Sequence, residues 1–319
     1  MRSRRTRMTE QSTPDDFRSG FACFVGRPNA GKSTLTNALV GQKIAITSDK
    51  PQTTRHTVRG ILHRDDGELI IIDTPGLSKP RSLLQQRLND LVRATWTEVD
   101  VVAVVFACNQ SVGPGDLYLV KQLAELRRTP SLVALATKTD LVSHERIGQH
   151  LTRIASVQEE VGVRFEDIVP CSAVTGEQVG EVADVLLGLM PPGPAFYPDG
   201  ETTDEPDEVL VAELIREAAL EDVRDELPHS IAAEVQEMHL REGRPADRPL
   251  LDIFASLIVE RESQKGIMVG RAGERIKRIG TQARQQIKAL LGVPVHLDLR
   301  VKVLKDWQGD PRKLNRLGL

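Results

Sequence analysis

Residues 26–34 constrain what this chain can fold into more than any other stretch. Gly26, Arg27, Pro28, Asn29, Ala30, Gly31, Lys32, Ser33 and Thr34 satisfy G-x-x-x-x-G-K-[ST]. The apolar run Phe21-Ala-Cys-Phe-Val25 precedes them, and Leu35-Thr-Asn-Ala-Leu-Val40 follows with helix-compatible spacing. Strand, glycine-rich turn and helix in that order predict a P-loop. The glycines let successive backbone N–H groups turn inward around a phosphate, and the helix N-terminus adds its positive dipole end. Lys32 would reach the β- and γ-phosphate oxygens, facing solvent when no nucleotide is bound, and Ser33 would ligate Mg2+. The alternative is a chance glycine turn, which the strand-turn-helix context argues against.

Downstream, Leu69-Ile-Ile-Ile-Asp73 is an apolar strand that ends in Asp73, Thr74, Pro75 and Gly76. The carboxylate would hold the Mg2+ water shell and the Gly76 N–H would meet the γ-phosphate, so the segment would sense whether that phosphate is present. Ser131-Leu-Val-Ala-Leu-Ala136 is a second buried-type strand, and it delivers Thr137, Lys138, Thr139 and Asp140. Asp140 would accept hydrogen bonds from guanine N1–H and the 2-amino group. Adenine has neither donor, so this carboxylate selects guanine. A further short strand beginning at Ile168 ends in Ser172 and Ala173, which would close over the base. Each segment alone is an ordinary strand-to-helix turn. In this order, after a P-loop, they predict a guanine nucleotide site.

Alternating strands and helices predict an α/β domain with a mostly parallel, doubly wound sheet. Asp65-Asp66-Gly67 between two apolar runs predicts a hairpin and one antiparallel edge. Val99-Asp-Val-Val-Ala-Val-Val-Phe106, the most β-branched run, predicts a central strand. This domain is expected over 17–190, with a Pro-rich and acidic linker at 191–208. Residues 1–16 read as a disordered tail, with Met8 as an alternative start. Their basic beginning lacks the apolar region of a secretory signal. The three cysteines, Cys23, Cys108 and Cys171, are scattered in apolar contexts without C-x-x-C spacing, as reduced buried thiols would be. No histidine cluster predicts a further metal, and no apolar run is long enough to span a bilayer.

The net charge of −3 hides an asymmetry. Residues 191–260 carry 5 Lys and Arg against 18 Asp and Glu, whereas residues 261–319 carry 14 against 5. A change from −13 to +9 within one domain predicts a face for a polyanion. The basic part holds Gly270, Arg271, Ala272 and Gly273, a G-x-x-G turn between two helical stretches, with Arg275, Lys277 and Arg278 just beyond it. Such a turn, expected to be solvent-exposed, sets backbone N–H groups and a helix N-terminus against a nucleic-acid backbone, as KH domains do. Over 209–319 the pattern reads as a helix at 209–226, strands at 231–241 and 250–261, two helices around the turn, and a strand at 293–303. That α-β-β-α-α-β order predicts a second, smaller α+β domain of the type II KH kind.

From about Phe21 onward the chain resembles the Era family of translation-factor-like GTPases. The resemblance rests on the P-loop, on Pro51-Gln-Thr-Thr-Arg-His56 as a switch I signature, on the segments ending in Gly76 and Asp140, on the KH order, and on the tail beginning at Trp307. It implies that Thr54 closes on Mg2+ and the γ-phosphate, with Thr53 the competing assignment, and that Lys32, Thr54 and Gly76 carry hydrolysis. Leu77 stands where many GTPases carry a water-orienting glutamine. A leucine cannot polarise water, so unaided turnover should be slow. Asn29 either binds K+ beside the phosphates, as in relatives with asparagine there, or shapes the loop; both readings stand. Two positions depart from the family. Thr137 replaces an asparagine whose amide a hydroxyl cannot reproduce, and Ala272 stands in a loop that more often reads close to Gly-Lys-Gly-Gly.

The resemblance further implies a switch that binds GTP and GDP with Mg2+ and hydrolyses GTP. Its target would be single-stranded RNA at the 3′ end of 16S ribosomal RNA during maturation of the 30S subunit. It would be a cytoplasmic monomer, with peripheral association at the inner face of the cell membrane. Two other classes compete. A small-molecule phosphotransferase is opposed by Asp140 and by the absence of an arginine-rich lid. An RNA-binding protein with a degenerate, poorly hydrolysing G domain is kept open by Leu77 and Thr137.

Overall fold

The structure is a computed structural model that describes residues 16–48, 50, 53–77, 80, 82–127, 130–221, 223 and 227–319. The expected N-terminal tail lies outside them except for the exposed Asp16, as do Met8, Pro51 and Gln52.

The first eleven elements are β1 (Arg18–Gly26), α1 (Lys32–Val40), β2 (Val58–Arg64), β3 (Gly67–Asp73), α2 (Leu83–Glu98), β4 (Val101–Ala107), α3 (Pro114–Ala124), β5 (Ser131–Thr137), α4 (His144–Val161), β6 (Ile168–Pro170) and α5 (Val179–Gly188). They build a six-stranded sheet of order β2-β3-β1-β4-β5-β6. Only β2 runs antiparallel, joined to β3 by the predicted Asp65-Asp66 turn. Every residue of β3 and β4 is buried, because helices cover both faces of the sheet. Successive residues of β1 serve opposite cores. Ala22 and Phe24 join Leu35, Leu135 and Leu186, while Cys23 and Val25 join Trp96, Phe106 and Ile154. Each such fully buried aliphatic or aromatic side chain contributes about 1.5–3 kcal/mol. Because β1 lies between β3 and β4, the chain leaves it where the strand order reverses, and a cleft opens at the carboxyl ends of the strands.

The segment expected as a linker is pinned to this sheet, across β1, β3 and β2. Ser19 donates from its amide to Pro191 O (3.1 Å) and from its hydroxyl to Pro194 O (2.6 Å). The buried Glu68 carboxylate accepts from the amides of Phe196 (2.7 Å) and Tyr197 (3.2 Å), and Ile61 N donates to Thr202 O (2.9 Å). The strap ends where α6 (Asp207–Leu220) begins, followed by β7 (Ala232–Leu240), β8 (Leu251–Val259), α7 (Glu262–Val269), α8 (Glu274–Leu291), β9 (Val295–Val303) and α9 (Pro311–Arg316).

These elements make the predicted α-β-β-α-α-β order, with a second sheet β7-β8-β9 in which β8 pairs antiparallel with β7 and parallel with β9. Ile279, Ala283 and Ile287, one turn apart along α8, bury against it. Helix α6 stops six residues before the end of the expected 209–226 helix. Glu221 is already extended, and Asp222, Arg224, Asp225 and Glu226 lie outside the described residues. After β9 the chain turns back onto the first domain, where Trp307 and Leu314 pack with Leu84 and Leu88 of α2.

Candidate functional site

At the carboxyl end of β1 the backbone turns through residues 27–31 into α1. Gly26 is required there, because a Cβ on it would lie 2.7 Å from the Val105 carbonyl. Asn29 (φ 61°) and Gly31 (φ 100°) both adopt left-handed backbone, which asparagine tolerates better than most residues. No side chain caps α1, so its first N–H groups stay available to a ligand. Pro28, Asn29, Gly31, Lys32, Ser33 and Thr34 line a cleft of about 730 Å3, and Thr54, Gly76, Lys138 and Asp140 face them across it.

Lys32 corrects the expectation of a solvent-facing ammonium. It is buried, and its Nζ donates to the carbonyls of Gly26 and Arg27 at 3.2 Å each. A charge enclosed by the loop must find acceptors, and the loop's own carbonyls are the nearest. Burial lowers its pKa to about 8, opposed by the charge of Asp73. Beside it three oxygen-bearing side chains converge. Ser33 Oγ donates to Asp73 Oδ2 (2.5 Å) and lies 2.9 Å from Thr54 Oγ1, which is itself 3.5 Å from Asp73 Oδ2. Asp73 is fully buried, and its Oδ1 has no partner among the described residues. Burial lifts its pKa to about 6, while Ser33, Lys32 and Thr54 pull the other way. An all-oxygen set with an orphaned carboxylate oxygen fits a hard divalent cation such as Mg2+. Thr53 also lines the cleft, but its hydroxyl donates to Lys50 O at 2.7 Å.

The other expected residues support this lining. Thr74 donates to Phe24 O (3.0 Å), Pro75 is buried, and Gly76 approaches the P-loop so closely that a Cβ would lie 3.1 Å from Pro28 N. Ala30 is buried and its carbonyl accepts the Thr137 hydroxyl at 2.6 Å, so Thr137 braces the P-loop from behind. Asp140 is exposed in the cleft, and Ser172 Oγ fixes one of its carboxylate oxygens at 2.6 Å. Ala173 is half-buried behind Val174. Arg27 and Leu77 line a neighbouring cavity of about 720 Å3, where Leu77 packs on the apolar core and Arg27 pairs with Asp116 at 3.4 Å.

The second candidate site is the G-x-x-G turn. Gly270 (φ 74°) cannot carry a side chain, because a Cβ would lie 2.8 Å from that of Arg275. Arg271, Ala272 and Gly273 form a single 3-10 turn, and Gly273 caps α8 in left-handed conformation. Ala272 also holds left-handed backbone (φ 50°), where its Cβ is strained. Arg271, Ala272, Lys277 and Arg278 are exposed, and Arg275 is half-buried with Nη1 on Ile267 O at 3.4 Å.

The family described as a 50S ribosome-binding GTPase matches residues 21–138, and the family described as a KH domain matches residues 226–308. The chain is 60% identical to GTPase Era of Streptomyces coelicolor over 98% of its own length and 99% of that protein. It is 63% identical to GTPase Era of a Nocardioides species over 94% and 96%. The chain belongs to the GTPase Era family. It is accordingly a GTP hydrolase with a G domain followed by a KH domain. Two solved Era structures share its fold at 32% identity and TM-score 0.88. One is a substituted Aquifex aeolicus Era bound to GDP·AlF4−, covering 94% of this chain and 99% of that one. The other is Era in complex with MgGDPNP and nucleotides 1506–1542 of 16S ribosomal RNA, covering 95% and 99%.

Sequence reading missed part of this Era cleft. Ile46, Thr47 and Ser48 line it from the loop after α1, Gln110 from beyond the end of β4, and Leu141 and Val174 from beside Asp140 and Ala173. Only Gln110 carried a signal, since it follows a strand ending at the same edge of the sheet.

Proposed function

We propose that the protein is a guanine-nucleotide switch that binds single-stranded RNA at the 3′ end of 16S ribosomal RNA and acts in maturation of the 30S subunit. The observation that carries this reading is the fold match over 95% of the chain to an Era solved with MgGDPNP and 16S nucleotides. In this reading Gly26 and residues 27–34 cradle the phosphates, with Lys32 on the β- and γ-oxygens. Asp140 reads guanine, held by Ser172 and flanked by Lys138 and Ala173. Ser33, Thr54 and Asp73 hold Mg2+, Asp73 through water. Asn29 lines the phosphate end of the cleft, in reach of K+. A bound Mg2+ would neutralise charge developing between the β- and γ-phosphates. Lys32, Thr54 and Gly76 then orient the terminal phosphate, and Leu77 supplies no polarity, so turnover is slow until a partner binds.

RNA runs along the 270–273 turn and the start of α8, with Arg271, Arg275, Lys277 and Arg278 near phosphates. No helix among the described residues is long and apolar enough to cross a membrane. We infer a cytoplasmic monomer, with any membrane association peripheral. The deciding experiment is GTP turnover and RNA affinity measured with a short single-stranded RNA from the small-subunit 3′ end, with and without K+. With four cations near phosphates, binding should weaken by about 50-fold as salt rises from about 50 to about 200 mM. RNA binding indifferent to both sequence and salt would refute the RNA assignment.

A further inference from the structure

Thr54 is bracketed by its two chain neighbours, and both are tied to the second domain. On one side, the Thr53 carbonyl accepts a hydrogen bond from Arg216 Nη2 of α6. On the other, the buried Arg55 guanidinium donates to Ile231 O (2.6 Å), His229 O (2.8 Å) and Pro228 O (3.1 Å), and lies 5.5 Å over the ring of Trp307. Arg216 is itself 2% exposed, and Glu213 holds it through both carboxylate oxygens at 2.9 and 2.6 Å. Glu217, on the same face of α6, accepts from the amide (2.7 Å) and hydroxyl (3.2 Å) of Thr47, which lines the nucleotide cleft.

An apolar seam would serve adhesion at least as well, because buried ion pairs contribute little net stability. What such groups supply is direction. A guanidinium that must satisfy three carbonyls permits one placement of the backbone that carries it. Arg216 Nη1 has no partner among the described residues, so part of its desolvation cost is not recovered by hydrogen bonding.

We propose that Arg55 and Arg216 are positioning residues for hydrolysis, through which the KH domain holds the Thr54 hydroxyl 2.9 Å from Ser33 Oγ beside Asp73. The proposal rests on reading Ser33, Thr54 and Asp73 as the Mg2+ site. The GTP-bound state, which uses switch I, depends on this tether. The GDP-bound state, which needs only the P-loop and base contacts, does not.

The test uses the full chain with Arg216→Ala, Arg216→Lys and the apolar pair Glu213→Leu with Arg216→Met, which removes the α6 arm of the tether together with the carboxylate that holds it. Arg216→Ala and the apolar pair should lower kcat by about tenfold while GDP affinity stays within about twofold. Arg216→Lys should recover part of the rate, because an ammonium can still reach the Thr53 carbonyl. In nucleotide-free protein, amide exchange across residues 43–57 should accelerate in the variants that lose the tether. Melting temperatures identify any variant that fails to fold, and the apolar pair then carries the test. Parent-like kcat and parent-like exchange in the folded apolar pair would overturn the tether. Thr54→Ala is measured in parallel. If it leaves turnover unchanged, the metal-site reading falls and the proposal with it; if it is slow while the apolar pair is parent-like, the tether alone falls.

Discussion

The P-loop and the G-x-x-G turn open their helices in the same way. Gly31 precedes α1 and Gly273 precedes α8, both glycines are left-handed, and neither helix has a side-chain cap at its start. Both helices therefore present uncapped N–H groups and a positive dipole end. They differ in where the cation sits. Lys32 is enclosed among loop carbonyls, with Asp73 and Thr54 close by, whereas Arg271 and Lys277 stand on an open surface. An enclosed turn grips the end of a small molecule, in a low-dielectric setting where one ammonium counts heavily. An open turn lets a polymer pass over it and works by releasing counterions from many phosphates. One local device thus suits two kinds of ligand, and how far the surrounding structure encloses the turn decides which.

If enclosure is what gives Lys32 its weight, Lys32→Ala should produce the largest effect in the molecule. GTP turnover should fall by about 100-fold or more, while RNA affinity without nucleotide stays at the parent value. The nucleotide-free melting temperature should change little, because burial already disfavours this ammonium. Phosphate-release kinetics and calorimetry check both halves, and a rate within about threefold of the parent would break the comparison on its enclosed side.

Its open side is probed by Arg271→Asp combined with Ala272→Asp, which places two anions where phosphates approach. RNA affinity should fall by at least about tenfold at low salt, and the salt slope should flatten as phosphate contacts are lost. Stability should move by no more than about 0.5 kcal/mol, as for exposed positions generally. Aspartate tolerates the left-handed conformation of residue 272 better than alanine does. Salt titrations of binding, run beside thermal melts and RNA-free turnover, would expose a merely structural turn as a collapsed melting temperature with no selective loss of RNA.

The smallest effect sharpens the comparison by returning the turn to glycine. Ala272 holds φ 50° at a strain of about 1–2 kcal/mol, and Ala272→Gly relieves it while adding about 0.4–1 kcal/mol of unfolded-chain entropy. The net should be a gain of between about 0 and 1.6 kcal/mol in chemical denaturation. A clear loss of stability would mean that residue 272 is not left-handed in solution.

The local elements were legible because their signals are local. The β-branched run before Cys108 became the central strand β4, and the Asp65-Asp66 turn produced the one antiparallel edge, since side-chain period and turn chemistry act over a few residues. The buried position of Lys32 was not legible, because the motif names the residue that meets phosphate but not the carbonyls it rests on meanwhile. Nor was the strap at 191–206. Its proline-rich composition reads as a spacer, while its attachment depends on Glu68, a charged residue just before the apolar run 69–72, whose partners lie about 128 residues away.

By itself, then, the sequence determined two domains, a P-loop at the end of a strand, a carboxylate at Asp140 placed where a nucleotide base would be read, and a G-x-x-G turn in a basic segment. Spacing and residue type are sufficient where function is carried by consecutive residues. Only the tertiary structure decided which threonine meets Ser33 and Asp73, that Thr137 braces Ala30 instead of lining the cleft, and that Arg55 and Arg216 join switch I to the KH domain. Those contacts link residues far apart in the chain, and their energies depend on burial, which no local pattern encodes.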